Sequence, residues 1–153
     1  MTNYELLTMK ACDKGLIVKE KPLIGSDGRI QGNRIAIRKG IETQAEKSCV
    51  LAEELGHYYT SVGNILDQTD IANRKQEYRA RFYGYNLKIG LMGIVQAYTH
   101  GCRNLYEMAE YLEVTEEYLK EAIECYRSKY GEYTRIDNYV IYFIPCLAVL
   151  SMT

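Results

Sequence analysis

Glu53, Glu54 and His57 fall within the run Glu53-Glu54-Leu55-Gly56-His57, and their spacing decides what they can do together. Residues at i and i+4 lie one above the other on a helix, so Glu53 and His57 can grip a single cation. Glu54 points about a quarter-turn away. From there its carboxylate can take a proton from a water polarised by the ion without ligating the ion itself. Gly56, which has no side chain, lets a neighbouring segment pass close to the helix. A hydrolytic metal centre needs a third protein ligand and an open position, and Glu77, twenty residues past His57, is the candidate. The plainer reading of the same residues is a solvated helix face. Adjacent glutamates and a histidine are common on helices, and Glu77 can simply pair with Arg81 one turn on.

The elements that must position these groups are legible in outline. Thr43-Gln44-Ala45-Glu46 is a capping-box pattern, in which the Thr hydroxyl accepts from the backbone N–H of Glu46. It predicts a helix from there through Tyr59, with Val50, Leu51, Leu55 and Tyr58 as its apolar stripe, ending before Gly63. Asn64 to Asp70 reads as a loop. A second long helix begins near Asp70 and carries Glu77, and Gly84, Gly90 and Gly93 leave its far end open. Upstream, Glu5 to Cys12 has helical spacing that stops near Gly15. Leu16-Ile17-Val18 reads as a short strand, Gly25-Ser26-Asp27-Gly28 as a turn, and Gly32 to Arg38 as a half-buried alternating strand. Downstream, Leu91 to His100 is helical. Leu105, Met108, Ala109 and Leu112 recur at helical spacing, and a Thr115-capped helix carries Leu119, Ala122, Ile123 and Tyr126. Val140–Ile144 and Leu147–Leu150 close the chain as strands. The fold class expected is α+β. Residues 1–153 are expected to form a single domain with a core over 1–100, a helical segment over 101–135 packed on that core, and C-terminal strands over 136–153.

Composition narrows the classes of partner. Nineteen Lys+Arg against twenty Asp+Glu give a net charge of −1, so the chain lacks the overall field of a strong nucleic-acid or anionic-membrane binder. The longest apolar stretch, Tyr139 to Leu150, is broken by Pro145 and too short to span a bilayer. The first residues lack the basic-then-apolar layout of a signal peptide. Five widely spaced cysteines (Cys12, Cys49, Cys102, Cys125, Cys146) form no C-x-x-C pair and read as reduced, mostly buried small apolar residues. The expectation is a cytoplasmic protein with no membrane partner.

The run Asn33-Arg34-Ile35-Ala36-Ile37, then Leu51-Ala52-Glu53-Glu54-Leu55-Gly56-His57, then Glu77-Tyr78-Arg79-Ala80-Arg81-Phe82 resembles the ImmA/IrrE family of metallo-endopeptidases. That family has a strand, a helix bearing L-A-H-E-L-G-H, and a further helix bearing an acidic residue. The segments agree in order and spacing over roughly residues 30 to 90, with weaker likeness up to about 130. The resemblance implies a zincin-like core with a small sheet, two long metal-bearing helices and a helical cluster. It implies His57 as the second histidine ligand, Glu54 as general base and Glu77 as the acidic ligand. Glu53 stands where the family has the first histidine of H-E-x-x-H. A Glu/His/Glu set places more negative charge on the ion, which weakens its Lewis acidity and shifts preference from zinc towards Mn²⁺ or Fe²⁺. The cofactor implied is one divalent metal, zinc first, and the alternative is a site that has lost it. Family members in prophages and mobile elements cut the element's own repressor. The implied substrate is therefore a helix-turn-helix repressor, or the same protein bound without cleavage if the site is dead. An oxyanion donor would come from a tyrosine or from His100.

Met108 to Leu119 also has the Ala, Val and Leu placement of a helix-turn-helix, which makes a DNA reader the rival class. Charge speaks against it. From Cys102 to Arg135 five cations face eight glutamates, a net of −3, and the would-be recognition helix opens with Glu116-Glu117. Those acids suit a helix N-terminus and repel phosphate, so no direct nucleic-acid partner is expected.

Overall fold

The computed structural model describes residues 1–61 and 70–153, and the side chains of residues 70–72 are not described. The expected loop from Asn64 onward lies outside the described residues up to Thr69, and Asp70 is already helical. In chain order the elements are α1 (Asn3–Asp13), β1 (Ile17–Lys21), β2 (Gly28–Gln31), β3 (Arg34–Arg38), α2 (Gln44–Thr60), α3 (Asp70–Lys88), α4 (Gly90–His100), α5 (Leu105–Leu112), α6 (Glu116–Tyr130), β4 (Tyr133–Ile136), β5 (Tyr139–Tyr142) and β6 (Ala148–Ser151). The fold is mixed α+β with two three-stranded sheets among the described residues. The chain forms two compact units, Met1–Leu87 and Lys88–Thr153.

In the first unit the strand order is β1-β3-β2, with β1 parallel and β2 antiparallel to β3. Gly32 and Asn33 make the two-residue turn between β2 and β3, and Gly32 takes the positive φ of +60° that such a turn requires. Alternation along β3 buries Ile35 and Ile37. On that face Ile35 pairs with Val18 on one side and Ile30 on the other. α1 and α2 cover it, adding Leu7, Ala11, Leu51, Ala52 and Leu55 to the core. β2 was legible only as part of a turn, because four residues beginning Gly28-Arg29 carry too little apolar pattern to announce a strand.

The stripe of α2 departs from its expected membership in one place. Tyr58 is 37% exposed, and Tyr59 packs against the core instead. The cysteines also depart: all five are free, as expected, but only Cys49 is buried, while Cys12 and Cys146 are exposed and Cys102 and Cys125 are intermediate. Cys12 follows Ala11 on α1 and so sits off the Leu7–Ala11 stripe that faces the core.

Tyr4, 8% exposed, donates its hydroxyl hydrogen bond to Glu20 Oε2 at 3.5 Å, and Lys47 on α2 pairs with Glu20 at 3.1 Å. Burial, with the Glu20 carboxylate adding to it, pushes the Tyr4 hydroxyl up to about 12. A group whose folded pKa lies above its ordinary value of about 10 stabilises the fold fully below that value and loses its contribution as pH rises through the folded one. The urea midpoint is therefore expected to fall between about pH 10 and about pH 12, and less steeply in Tyr4→Phe. Equal slopes for the two proteins would remove Tyr4 from the alkaline transition.

In the second unit β4, β5 and β6 form an antiparallel meander. Ile94, Leu119, Ala122, Tyr126 and Ile141 are fully buried, and the Gly90 N–H donates to the Tyr126 hydroxyl at 3.1 Å. α5 ends at Glu113, which has φ +55°, and Thr115 caps α6 by accepting from the Tyr118 N–H at 3.1 Å. α4, grouped by sequence with residues 1–100, belongs to this unit and packs on α5 and β5. Strand β4 carried no clear sequence signal, since its four residues alternate between exposed and half-buried and Ile136 is the one aliphatic residue among them. No helix among the described residues is long and apolar enough to cross a membrane.

Candidate metal centre

Thr43 caps α2 by accepting from the Glu46 N–H at 3.1 Å, and from that start the helix runs unbroken through the Glu53–His57 segment. Gly56 and Ala80 bring the second helix alongside. Both are buried, and a Cβ placed on Gly56 would collide with the Ala80 carbonyl oxygen and lie 3.0 Å from its carbon. The absent side chain is what allows α3 to approach. His57 follows Gly56, and Glu77 precedes Ala80 by about one turn, so the close point places both beside it.

The result is a convergence. One ligand-type atom from each of Glu53, His57 and Glu77 lies within 4.8 Å of the others, the one such group of three among the described residues. His57 Nε2 stands 3.7 Å from Glu77 Oε1. Ligands about 2.0–2.1 Å from a tetrahedral ion are about 3.4 Å apart, so one imidazole nitrogen and two carboxylates fit a divalent cation after small side-chain adjustment. Glu53 is exposed and the other two are intermediate, which leaves one side of the cluster open to solvent. The surface ion pair expected of Glu77 is present as well: Arg81 Nε lies 3.6 Å from the same Oε1 that faces His57.

Glu54 sits apart from the three, as its place on the helix requires. Its side chain presses against β2, where a Cβ on Gly28 would come within 2.9 Å of both Glu54 Cγ and Oε1 and 2.8 Å of Val50 Cγ1. Burial pushes its carboxyl above the ordinary carboxylate range; His57 opposes that shift, and Glu53 and Glu77 add to it. A carboxylate so placed is a stronger base than an exposed one. Gly28 is the residue sequence reasoning missed. It reads as turn chemistry, and only the pairing of β2 with β3 shows it as the floor beneath Glu54. His100 lies in the second unit, its ring stacked on Tyr111 with centroids 4.4 Å apart.

The Gly56 contact yields a direct expectation. Gly56→Ala gains about 1 kcal/mol of helix propensity, but forcing a methyl against backbone costs about 1–3 kcal/mol, here at the upper end. The variant should be less stable by about 1–2 kcal/mol in urea denaturation, with weaker metal binding because α2 and α3 must separate. A more stable variant would mean the two helices do not rely on this contact.

Compared with known proteins, the chain matches no family model, no curated protein and no solved structure.

Proposed function

We propose that this chain is a metal-dependent endopeptidase with a zincin-like core, similar to the ImmA/IrrE family, that cleaves a helix-turn-helix repressor of a prophage or mobile element. The observation that carries the reading is the approach of Glu53, His57 and Glu77 to within 4.8 Å of one another, from two helices, beside a desolvated Glu54. Two helices and a small sheet with β2 at its edge are the parts such a core needs. When bound, a divalent cation supplies Lewis acidity towards a scissile carbonyl and the attacking water.

The chain's own residues do the rest. Glu53, His57 and Glu77 would hold the ion. Glu54, kept from ligating by its position on α2, accepts the water's proton at its carboxylate and returns it to the leaving amine. Its raised proton affinity suits both halves of that transfer. The exposed side of the cluster admits an extended peptide.

A second reading, a protein of this type that binds the repressor without cutting it, is favoured by the Arg81 guanidinium. At 3.6 Å from Glu77 Oε1 it competes for the carboxylate that a metal would need. Metal content separates the two. Equilibrium dialysis against Zn²⁺ and Mn²⁺ should give one tightly held ion per chain, and repressor cleavage should stop with chelator and resume on metal addition. Repressor bound but intact, with no retained metal, selects the second reading.

A further inference from the structure

The face of the first sheet turned away from α2 carries a charge pattern the fold does not use. Strand alternation puts Lys19, Lys21, Arg29, Arg34 and Arg38 on that face. In register, Lys19 and Arg29 flank Ala36 from its two sides, Lys21 stands opposite Arg38, and Arg34 lies between Ile17 and Gln31. Asp27 takes Arg38, Oδ1 to Nε at 2.7 Å. Lys19, Lys21, Arg29 and Arg34 have no ion pair among the described residues, and all four are exposed. Lys21 and Arg38 are the one directly opposed like pair, and Asp27 offsets it; the other cations leave the face strongly positive with no acid among its strand residues. The small side chain of Ala36 leaves a hollow of about 370 Å³ among them, with Ile17 and Leu23 at its wall.

We propose that this face docks an extended acidic segment of a protein partner, its carboxylates on Lys19, Lys21, Arg29 and Arg34 and its apolar side chains over Ile17, Leu23 and Ala36. Acidic residues at alternate positions of an extended chain recur about every 6.6 Å, the spacing of Lys19 and Lys21 along β1. Arg29 and Arg34 supply the planar fork that binds carboxylates in two-point fashion. Apolar positions between the cations suit a polypeptide. Nucleic acid is the weaker fit, because a chain with fifteen tyrosines puts no aromatic ring around this hollow, and single-stranded binding relies on base-stacking platforms. The proposal is independent of the metal centre, which lies on the other face of the sheet.

The test is fluorescence anisotropy of the intact protein with a labelled peptide alternating glutamate with leucine and alanine, beside single-stranded and duplex DNA of mixed sequence. The peptide should bind at about 50 mM NaCl and weaken about tenfold by about 300 mM. The double reversal Lys19→Glu/Arg29→Glu should cost at least about tenfold in affinity, and Lys120→Glu on α6 should change it by less than about twofold. Lys19→Ala/Arg29→Ala, expected to give a partial loss, replaces the reversal if circular dichroism shows the latter unfolded. DNA binding tighter than the peptide overturns the proposal in favour of a phosphate-backbone site. Peptide affinity indifferent to the sheet variants, or no binding at low salt, overturns it outright.

Discussion

Glu54→Gln should abolish measurable repressor cleavage, a loss of about 10²–10⁴-fold, while leaving the bound metal and the urea midpoint in place. The three effects separate for a physical reason. Glutamine keeps the shape of the side chain pressed against Gly28, so the α2–β2 contact survives. It also removes a carboxylate whose burial is the first cause of its raised proton affinity, so the fold loses nothing by the change. Glu54 is not among the three converging donors, so dialysis should return the same ion content as the parent chain. What disappears is a group able to accept a proton at neutral pH. Cleavage that persists at the parental rate would remove Glu54 from the reaction, whatever metal is bound.

The second large effect comes from placing an imidazole at position 53. Glu53→His should tighten zinc binding about tenfold or more, measured by competition with a chromophoric chelator. A four-ligand zinc site holds its ion by about 10–16 kcal/mol, or about 3 kcal/mol per ligand, so improving one ligand by half that amount is worth about tenfold. Position 53 is one helical turn from His57, and its present side chain already reaches within 4.8 Å of the other two donors. A histidine there meets the ion from the same side of α2. It also replaces an anion near Glu77 and Glu54 with a neutral ligand, which raises the Lewis acidity of a bound ion. Manganese should gain less than zinc, since a harder ion values the lost carboxylate more. Unchanged zinc affinity would show that residue 53 does not face the ion.

Several of these features could be read from local chemistry alone. Thr43 and Glu46 announce the start of α2, and the Thr43 hydroxyl does accept from the Glu46 N–H. Glu53 and His57 share a helix face because of a repeat that holds wherever an α-helix forms. Gly56 could be recognised as a point of close approach before its partner was known, and the partner is the Ala80 backbone. The alternation over Arg34–Arg38 gave its strand with both buried positions, Ile35 and Ile37, in place. β2 and β4 escaped because four-residue strands are held by pairing with neighbours, and pairing leaves no imprint on so short a stretch. The end of α3 was open for the opposite reason. Gly84 looks like a helix breaker, yet it is buried and the helix continues to Lys88, because tertiary context outweighs a propensity cost of about 1 kcal/mol.

The candidate centre divides along the same line. By itself the sequence determined the residue types at the candidate centre and the helix that carries two of them. Those are matters of residue identity and of a periodicity that acts over a few residues. The tertiary structure decided that Glu77 closes on His57, that Gly28 lies beneath Glu54 and that five cations share one sheet face. Each of these joins residues separated in the chain, and they meet only because burying Ile35, Leu51 and Leu55 together fixes how the strands and helices stack.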